Sequence, residues 1–343
     1  MSMFSKKELL VIGGVHIDIL ADYSVKDKHK SDKVGNISFS IGGTAFNLIA
    51  NLVHRNIKIS LCTVLNEDSQ FTPHIFYKMR EMKVSPDYIQ TIKSDDLSAF
   101  VALREEGELV SAVTSNLIEK SHLEYAVLEK AISEHELVVA DCNLSAFQLS
   151  DILKICNYHR KPVIIAVVSD SKVERICNLD ARFTVDLVAM NIFEAMVFFG
   201  AKDQAEVEER LMDKRYSNFQ TMVVTMGKEG FMVKTAEGNL RKFPAHEIGN
   251  VRSSTGAGDA LLASIIYSKF EDKQIDWDKC YTKIGFFLKE TLSNSTASYN
   301  SLIFLNRIIK RRRKKINKSL IVAIIGILVT AIIGTIQILL AAR

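Results

Sequence analysis

Short apolar runs alternate with longer amphipathic runs along most of the chain. Six short runs predict buried strands, at residues 9–12, 57–64, 137–140, 162–168, 185–190 and 222–225. Five of the runs between them have helical spacing, at residues 45–54, 73–83, 122–133, 148–158 and 205–214. This alternation predicts an α/β fold in which helices cover both faces of a mostly parallel sheet. Ligands of such folds bind beyond the carboxyl ends of the strands.

Two segments follow a different, strictly alternating pattern. Ile37, Phe39 and Ile41 are separated by polar residues, and the same alternation occurs at 100–103 and 109–112, on either side of the polar turn 105–108. A period of two predicts half-exposed antiparallel strands, so we expect a small β lid outside the main sheet, within residues of about 15–41 and 97–113. No linker or repeat interrupts residues 1–306, which we therefore expect to form one domain.

Charge is distributed unevenly along the 343 residues. The chain has 44 basic and 40 acidic residues, but nine basic residues and no acidic one lie between Arg307 and Arg343. Taking those nine from 44 leaves residues 1–306 with 35 basic against 40 acidic residues. A mildly acidic body argues against nucleic acid as a partner, because a nucleic-acid-binding fold needs a basic surface of its own.

The basic tail ends in 24 residues without a charge, 319–342. A helix of that length reaches about 36 Å, enough for a bilayer core of about 30 Å, whereas a buried core helix would rarely lack a polar stripe. Basic residues within 307–318 precede it, and such residues stay on the cytoplasmic side. We therefore predict a basic juxtamembrane segment at 307–318, a single transmembrane helix at 319–342 that anchors the protein in a lipid bilayer, and a cytoplasmic body.

The amino terminus and the cysteines agree with that compartment. The apolar run at residues 9–12 is too short for a signal peptide and has acidic as well as basic neighbours. The five cysteines are scattered without metal-site spacing, which favours reduced structural thiols.

The most informative motif is Gly256-Ala257-Gly258-Asp259, which opens a helix of small and apolar residues. Such a turn exposes consecutive backbone N–H groups at a positive helix end, which suits an anion. An acidic residue there would repel phosphate, but it could accept the proton of a hydroxyl group that attacks the phosphate. The alternative is an ordinary loop-to-helix junction in which Asp259 is a first-turn acid.

Three other segments offer polar groups next to predicted strands or helices. Gly42 and Gly43 allow close approach of a ligand to the backbone, and Asn47 offers a donor and an acceptor for hydroxyl groups. Asp18 could bind a sugar diol, although a lone aspartate is more often solvated. Asn191 and Glu194 share a helix face and could hold hydrated Mg²⁺ beside phosphates, or they could form an N-cap with a first-turn acid.

Other phosphoryl-transfer motifs are absent from the sequence. There is no Gly-x-x-x-x-Gly-Lys-[Ser/Thr] loop, no Gly-x-Gly-x-x-Gly after the first predicted strand, and no His-Arg-Asp loop. The segment from Thr225 to Gly230 reads as a plain turn between strands when it is taken alone.

Taken in order, these motifs resemble the PfkB/ribokinase family of small-molecule kinases, over residues of about 8–305. The matching segments are Gly42-Gly43 with Asn47, Asn191-x-x-Glu194 and Thr255-Gly256-Ala257-Gly258-Asp259. The stretches 11–19 and 138–145 are most similar to the pseudouridine kinase branch of that family. The resemblance implies a ribokinase-like three-layer sandwich with a β lid, and ATP-dependent phosphorylation of a nucleoside or sugar, above all of pseudouridine to its 5′-phosphate.

The resemblance also implies a role for each matching residue. Asp259 would be the general base, and Gly256, Ala257 and Gly258 would form the anion hole. The remaining roles are substrate binding by Asp18, Gly43, Asn47 and Asn143, nucleotide binding by Thr225, Gly227 and Gly230, and binding of Mg²⁺ near the phosphates by Asn191 and Glu194. The lid would also be a dimer contact, which makes a homodimer a predicted assembly.

Three positions depart from the family pattern. Ser253 stands where relatives carry an aspartate that helps to hold a monovalent cation, so this cofactor is not expected here. Ala166 stands in place of another aspartate, and Phe46 in place of an arginine of pseudouridine kinases. Together with the anchor, these departures leave open an alternative, a catalytically weak, membrane-tethered nucleoside sensor or scaffold.

Overall fold

The computed structural model describes residues 8–24, 31–249, 256–272 and 274–293. Within these ranges the strands are β1 (Glu8–Ile12), β2 (His16–Tyr23), β3 (Gly35–Gly42), β4 (Lys58–Asn66), β5 (Ser85–Ile92), β6 (Ala99–Glu105), β7 (Glu108–Ser115), β8 (Leu137–Asp141), β9 (Val163–Ala166), β10 (Val185–Asn191), β11 (Phe219–Thr225), β12 (Phe231–Lys234) and β13 (Leu240–Phe243). The helices are α1 (Thr44–Leu52), α2 (Thr72–Glu81), α3 (Leu117–Lys120), α4 (Tyr125–Glu134), α5 (Ala146–Tyr158), α6 (Glu174–Cys177), α7 (Ile192–Phe199), α8 (Gln204–Leu211), α9 (Ala257–Glu271) and α10 (Trp277–Leu292).

Nine strands form the main sheet, in the order β13-β12-β11-β10-β9-β8-β1-β4-β5. Neighbouring strands are parallel from β5 to β11, and β12 and β13 are added antiparallel at one edge. The register pairs Asp141 with Ala166 and Asn191 with Thr225, so the carboxyl ends of β8 to β11 lie along one edge. That edge is where an α/β sheet binds its ligands.

Helices cover the sheet on both faces. One apolar cluster joins one face of the sheet to α1, α9 and α10, and a second joins the other face to α4, α5, α7 and α8. Leu9 and Leu10 of β1, which point to opposite faces, both have no exposed surface. Each fully buried leucine contributes about 1.5–3 kcal/mol. The predicted α/β sandwich with a mostly parallel sheet is therefore confirmed.

A second, four-stranded sheet has the order β3-β2-β6-β7 and forms the predicted lid. Its pairs are antiparallel except for β2 with β6, and the tight turn between β6 and β7 places Glu106 and Gly107 at positive φ. The sheet is buried near the start of β2, but its far end exposes Ile37 by 77%, Phe39 by 64% and Val113 by 70%.

The predicted strands and helices occur within three residues of their observed bounds. The strand predicted at 162–168 ends at Ala166, beyond which the chain passes along the ligand-binding edge. Strand β5 and helix α10 were missed. Strand β5 carries Pro86 and mostly polar residues, because it lies at the edge of the sheet and needs few apolar side chains.

No helix in the described ranges is both long and apolar enough to cross a bilayer. The predicted juxtamembrane segment and transmembrane helix, 307–318 and 319–342, lie outside those ranges and stay predictions. All five cysteines are free thiols.

Candidate active site

The amino-terminal turn of α9 offers unused backbone donors. Gly256 precedes the helix in a left-handed conformation, with φ of 85°, and Ala260 N donates the first helical hydrogen bond to Gly256 O at 2.9 Å. The N–H groups of Ala257, Gly258 and Asp259 are therefore not used within the helix. A Cβ atom at Gly258 would meet nothing within 4 Å, so this turn borders open space. We call Gly256–Asp259 the α9 turn.

Asp259 is joined directly to the other glycine motif. Asn47 lies in the first helix after Gly43, and its Nδ2 donates to Asp259 Oδ2 at 2.8 Å. Asn47 is only 7% exposed, so its side chain lies inside the fold and not at the surface. The two glycine motifs, 212 residues apart in sequence, thus converge at one carboxyl group.

A cavity of about 230 Å³ lies in front of the α9 turn. Gly256, Gly258 and Asp259 line it together with Thr44 from the start of α1. The carboxyl ends of the central strands contribute Ala166, Asn191, Glu194 and Thr225. The site therefore lies at the edge of the sheet where the alternating pattern predicts it.

The cavity wall alters the acidity of Asp259. Burial raises the pKa of this carboxyl to about 7, the nearby carboxylates of Asp141 and Asp18 raise it further, and the bond from Asn47 opposes the shift. A pKa near 7 suits a general base that takes a proton from an alcohol at neutral pH. Asp259 is a first-turn acid of α9, and its bond with Asn47 holds it at the cavity.

Asp141, at the end of β8, fastens three loops together. Its Oδ2 accepts hydrogen bonds from the backbone N of Gly14 at 3.0 Å and of Ala45 at 3.2 Å, and its Oδ1 accepts from Asn143 N at 2.8 Å. Burial raises the pKa of Asp141 to about 6, against these bonds and the charge of Lys172. We call Gly13, Gly14, Ala45, Asp141 and Asn143 the Asp141 cluster.

Four glycines are required by close packing in this part of the site. A Cβ at Gly13 would lie 2.2 Å from Asp141 Oδ2, and one at Gly14 would lie 2.7 Å from Asn143 Nδ2. At Gly42 it would lie 2.3 Å from an Asp18 oxygen. Gly43 has φ of 97°, and its Cβ would collide with the Gly14 carbonyl oxygen at 2.2 Å. These glycines allow side chains and backbone to meet where the substrate is expected.

The predicted substrate-binding residues Asp18 and Asn143 are connected through residues that the motifs did not indicate. His16 Nε2 lies 3.1 Å from Asp18 Oδ1, and His16 Nδ1 lies 3.0 Å from Asn116 Oδ1. Asn143 Oδ1 accepts from Asn116 Nδ2 at 2.9 Å and from Lys172 Nζ at 2.5 Å. Two buried atoms, Asn47 Oδ1 and Asn143 Nδ2, have no partner among the described residues.

Asn191 and Glu194 form a capping box at the start of α7. Asn191 Oδ1 accepts from the N–H groups of Phe193 and Glu194 at 2.9 and 3.0 Å, and Glu194 Oε2 accepts from Asn191 N at 2.8 Å. The two residues therefore form the N-cap, and capping uses Oδ1 of Asn191 as an acceptor. Burial, with Asp170 and Asp259 nearby, raises the pKa of Glu194 to about 7. No group of three or more metal-binding side chains occurs in the described ranges.

Of the predicted nucleotide-binding residues, Thr225 lines the cavity and the two glycines lie farther along the turn that follows. Gly227 begins a short 3-10 turn with φ of 58°. Gly230 has φ of 93° and would collide with the Phe243 carbonyl oxygen, so packing against the β12–β13 hairpin explains it.

The departures from the family pattern have different consequences. Ala166 lies in the cavity wall, so the aspartate that relatives carry at this position is absent from the site itself. Phe46 is 4% exposed and belongs to the apolar core, so it cannot take the place of an arginine that contacts a base. Ser253 lies outside the described residues, and the expectation for the monovalent cation stays a prediction.

Backbone donors at a helix end, next to a carboxyl group of raised pKa, suit the transfer of a phosphoryl group to an alcohol. A family profile for pfkB family carbohydrate kinases matches residues 6–277. The chain therefore belongs to the pfkB family of carbohydrate kinases.

Individual relatives are distant and agree with this fold. A guanosine-inosine kinase of Exiguobacterium acetylicum is 23% identical over 278 residues, 78% of this chain and 89% of the relative. The structure of Arabidopsis thaliana ribokinase with ribose and ATP is 14% identical, has a TM-score of 0.70, and matches 85% of this chain and 95% of that one. The Burkholderia thailandensis nucleoside kinase with inosine is 15% identical, has a TM-score of 0.65, and matches 85% and 92%.

Proposed function

We propose that the protein transfers the terminal phosphate of ATP to the primary hydroxyl group of a nucleoside. The observation that carries this proposal is the 2.8 Å hydrogen bond between Asn47 and Asp259 in front of the free N–H groups of the α9 turn. Asp259 accepts the proton of the attacking hydroxyl group. The N–H groups of Ala257, Gly258 and Asp259 stabilise the negative charge that develops on the phosphoryl oxygens.

The wall around Asp259 is complementary to a sugar. Asn47 Oδ1 is an acceptor without a partner and Asn143 Nδ2 a donor without a partner among the described residues, and Asp18 is a further acceptor nearby. A hydroxyl group donates and accepts at once, so a polyhydroxylated substrate satisfies both kinds of atom. Burial of such atoms without a partner would cost about 1–3 kcal/mol each.

The opposite wall is the proposed place of the nucleotide phosphates. Thr225, Glu194 and Asn191 lie there, and Glu194 with Asp170 supplies carboxylates near the cavity. Mg²⁺ commonly binds one or two carboxylates together with phosphates and water, so these residues fit it without a protein cage. When bound, it would neutralise phosphate charge. Because the Asn191 oxygen caps α7, we assign the metal to Glu194 rather than to Asn191.

Pseudouridine is the proposed nucleoside, supported by the residues 138–145 that resemble pseudouridine kinases. The guanosine-inosine kinase and the inosine complex among the relatives favour a purine nucleoside as the second candidate. Phe46 supports neither, since it is buried away from the site.

A substrate screen tests these proposals. The full chain in detergent is incubated with ATP, Mg²⁺ and, in turn, pseudouridine, uridine, inosine, guanosine, adenosine, ribose and fructose, and the phosphorylated product is measured. We expect the highest kcat/KM with pseudouridine. Higher values with inosine or guanosine would replace pseudouridine by the second candidate. Binding of nucleosides by calorimetry without any transfer would overturn the kinase proposal in favour of the sensor alternative.

We also propose that the protein is anchored in a membrane by residues 319–342 and pairs with a second copy through its lid. The uncharged stretch and the exposed Ile37, Phe39 and Val113 support these proposals. Replacing Leu328 and Ile332 by lysine should release the protein from membranes in carbonate extraction.

Replacing Phe39 and Val113 by serine should convert a dimer to a monomer in light scattering of the detergent-solubilised chain.

A further inference from the structure

The orientation of the Asn143 side chain is fixed by Lys172. A lysine ammonium group can only donate hydrogen bonds, so the Asn143 atom 2.5 Å from Lys172 Nζ must be the carbonyl oxygen. The amide nitrogen then points the other way, against Gly14, where it has no acceptor among the described residues. Asn143 has no exposed surface, so its amide nitrogen is a buried donor without an acceptor among the described residues.

The same logic passes along a chain of buried side chains. Because Asn143 presents its oxygen, Asn116 must present its Nδ2 at 2.9 Å, and the Asn116 oxygen then faces His16. His16 Nδ1 must therefore carry a proton, which it donates to Asn116 Oδ1 at 3.0 Å. The other nitrogen of His16, Nε2, lies 3.1 Å from Asp18 Oδ1.

Lys172 is not needed to hold the surrounding loop. Arg175, one turn further on, donates to the carbonyl oxygens of Cys142 at 2.5 Å and Leu144 at 3.2 Å, and it pairs with Glu119. The backbone on both sides of Asn143 is thus already anchored. The Lys172 ammonium group instead contacts Asn143, the side chain that the family resemblance assigns to substrate binding.

We infer that Lys172 is a specificity-determining positioning residue, which acts through Asn143, Asn116 and His16 on the substrate-binding groups. It keeps Asn143 Nδ2 as a donor, so the substrate presents an oxygen acceptor at that point, and it keeps His16 oriented to hold Asp18. This inference rests on the proposed function for the identity of the substrate. The proton positions within the relay do not depend on it.

The kinetic test compares Lys172→Met with Lys172→Arg in the full chain, with pseudouridine as the probe. We expect Lys172→Met to raise the KM for pseudouridine about tenfold, with kcat and the KM for ATP nearly unchanged, because one oriented hydrogen bond is lost. Lys172→Arg retains donors and should restore most of the affinity. A fall in kcat with an unchanged KM for pseudouridine would overturn the inference, and so would an equal effect of both variants.

A double variant separates positioning from general destabilisation. If Lys172 acts through Asn143, then Lys172→Met combined with Asn143→Ala should bind pseudouridine no more weakly than Asn143→Ala alone. Additive losses would contradict the relay.

Nitrogen-15 NMR of His16 tests the relay without any activity. In the parent chain we expect Nδ1 of His16 to be protonated, and in Lys172→Met we expect a mixture of tautomers. A His16 in the parent chain with a bare Nδ1 would overturn the relay even if the kinase proposal stands. Conversely, if the substrate screen fails but Nδ1 of His16 is protonated, the proposed substrate is wrong and the relay still stands.

Discussion

The Asp141 cluster and the α9 turn each contain one aspartate whose pKa burial has raised, and they use it in opposite ways. Asp141 accepts three backbone hydrogen bonds, each at 3.2 Å or less, and is only 1% exposed. Asp259 accepts one hydrogen bond, from Asn47, and borders a cavity. The first carboxylate holds the site in shape, and the second is left open for chemistry. A buried carboxylate that is left open in this way lowers the stability of the fold, and the molecule retains it because the function needs it.

The largest effect is expected at Asp259. Asp259→Asn keeps the size of the side chain and an oxygen that can accept from Asn47, but it removes the base. We expect kcat to fall by about 10²–10⁴-fold with little change in nucleoside affinity. Steady-state kinetics with titration calorimetry measures both. An unchanged kcat would show that Asp259 is not the base.

At Asp141 the expected loss is mainly one of stability. Asp141→Ala leaves the N–H groups of Gly14, Ala45 and Asn143 without their acceptor, and we expect unfolding to become easier by about 2–4 kcal/mol. Denaturant titration measures this quantity. Lys58→Ala, which removes an exposed ion pair with Glu8, is the control and should change little. An Asp141 variant as stable as the control would refute the fastening role.

Replacing Asp259 should change stability in the opposite direction to replacing Asp141, and only as the pH rises. Its pKa is about 7 in the folded chain against an ordinary value of 3.8, so ionisation in the folded state costs free energy. This cost is absent below pH 4, grows as the pH rises, and is complete above pH 7. Asp259→Asn should therefore be more stable than the parent by up to about 4 kcal/mol at pH 8, with most of this difference gone at pH 4. Thermal unfolding at both pH values checks this.

The smallest expected effects come from one glycine in each region. Gly14→Ala places a methyl group against Asn143, whereas the methyl group of Gly258→Ala meets nothing within 4 Å. We expect Gly14→Ala to lower the free energy of unfolding by about 1–3 kcal/mol. Gly258→Ala should raise it by up to about 1 kcal/mol, because alanine favours the helix, and should still reduce activity by narrowing the phosphate site. Equal melting temperatures for the two variants would remove the contrast.

The sequence predicted the α9 turn better than it predicted the Asp141 cluster. Gly256, Gly258 and Asp259 are neighbours in the chain, and their spacing carries the chemistry of a helix end. Asp141 contacts Gly14 and Ala45 across 127 and 96 residues, and in the sequence it is only the acid after a buried strand. The available signal was a charge directly after four apolar residues, at an edge where ligands bind.

Other differences have a similar physical reason. The sequence left open whether Asn191 and Glu194 bind a metal or form a helix cap; the structure shows the cap, and the metal role stays a prediction. Asn116 and Lys172 belong to segments far from each other and from β2, so only the fold could bring them to Asn143 and to His16. Motifs that are local in sequence were predictable, and groups joined across the sheet were not.

The close contacts of Gly13 and Gly42 have a consequence for how such sites diverge. Each glycine touches a carboxylate, so the glycine cannot become larger unless its partner has first become smaller. In the lineage of this protein, a bulkier residue at position 13 becomes tolerable only after position 141 has shrunk, and the order of the two substitutions is therefore fixed.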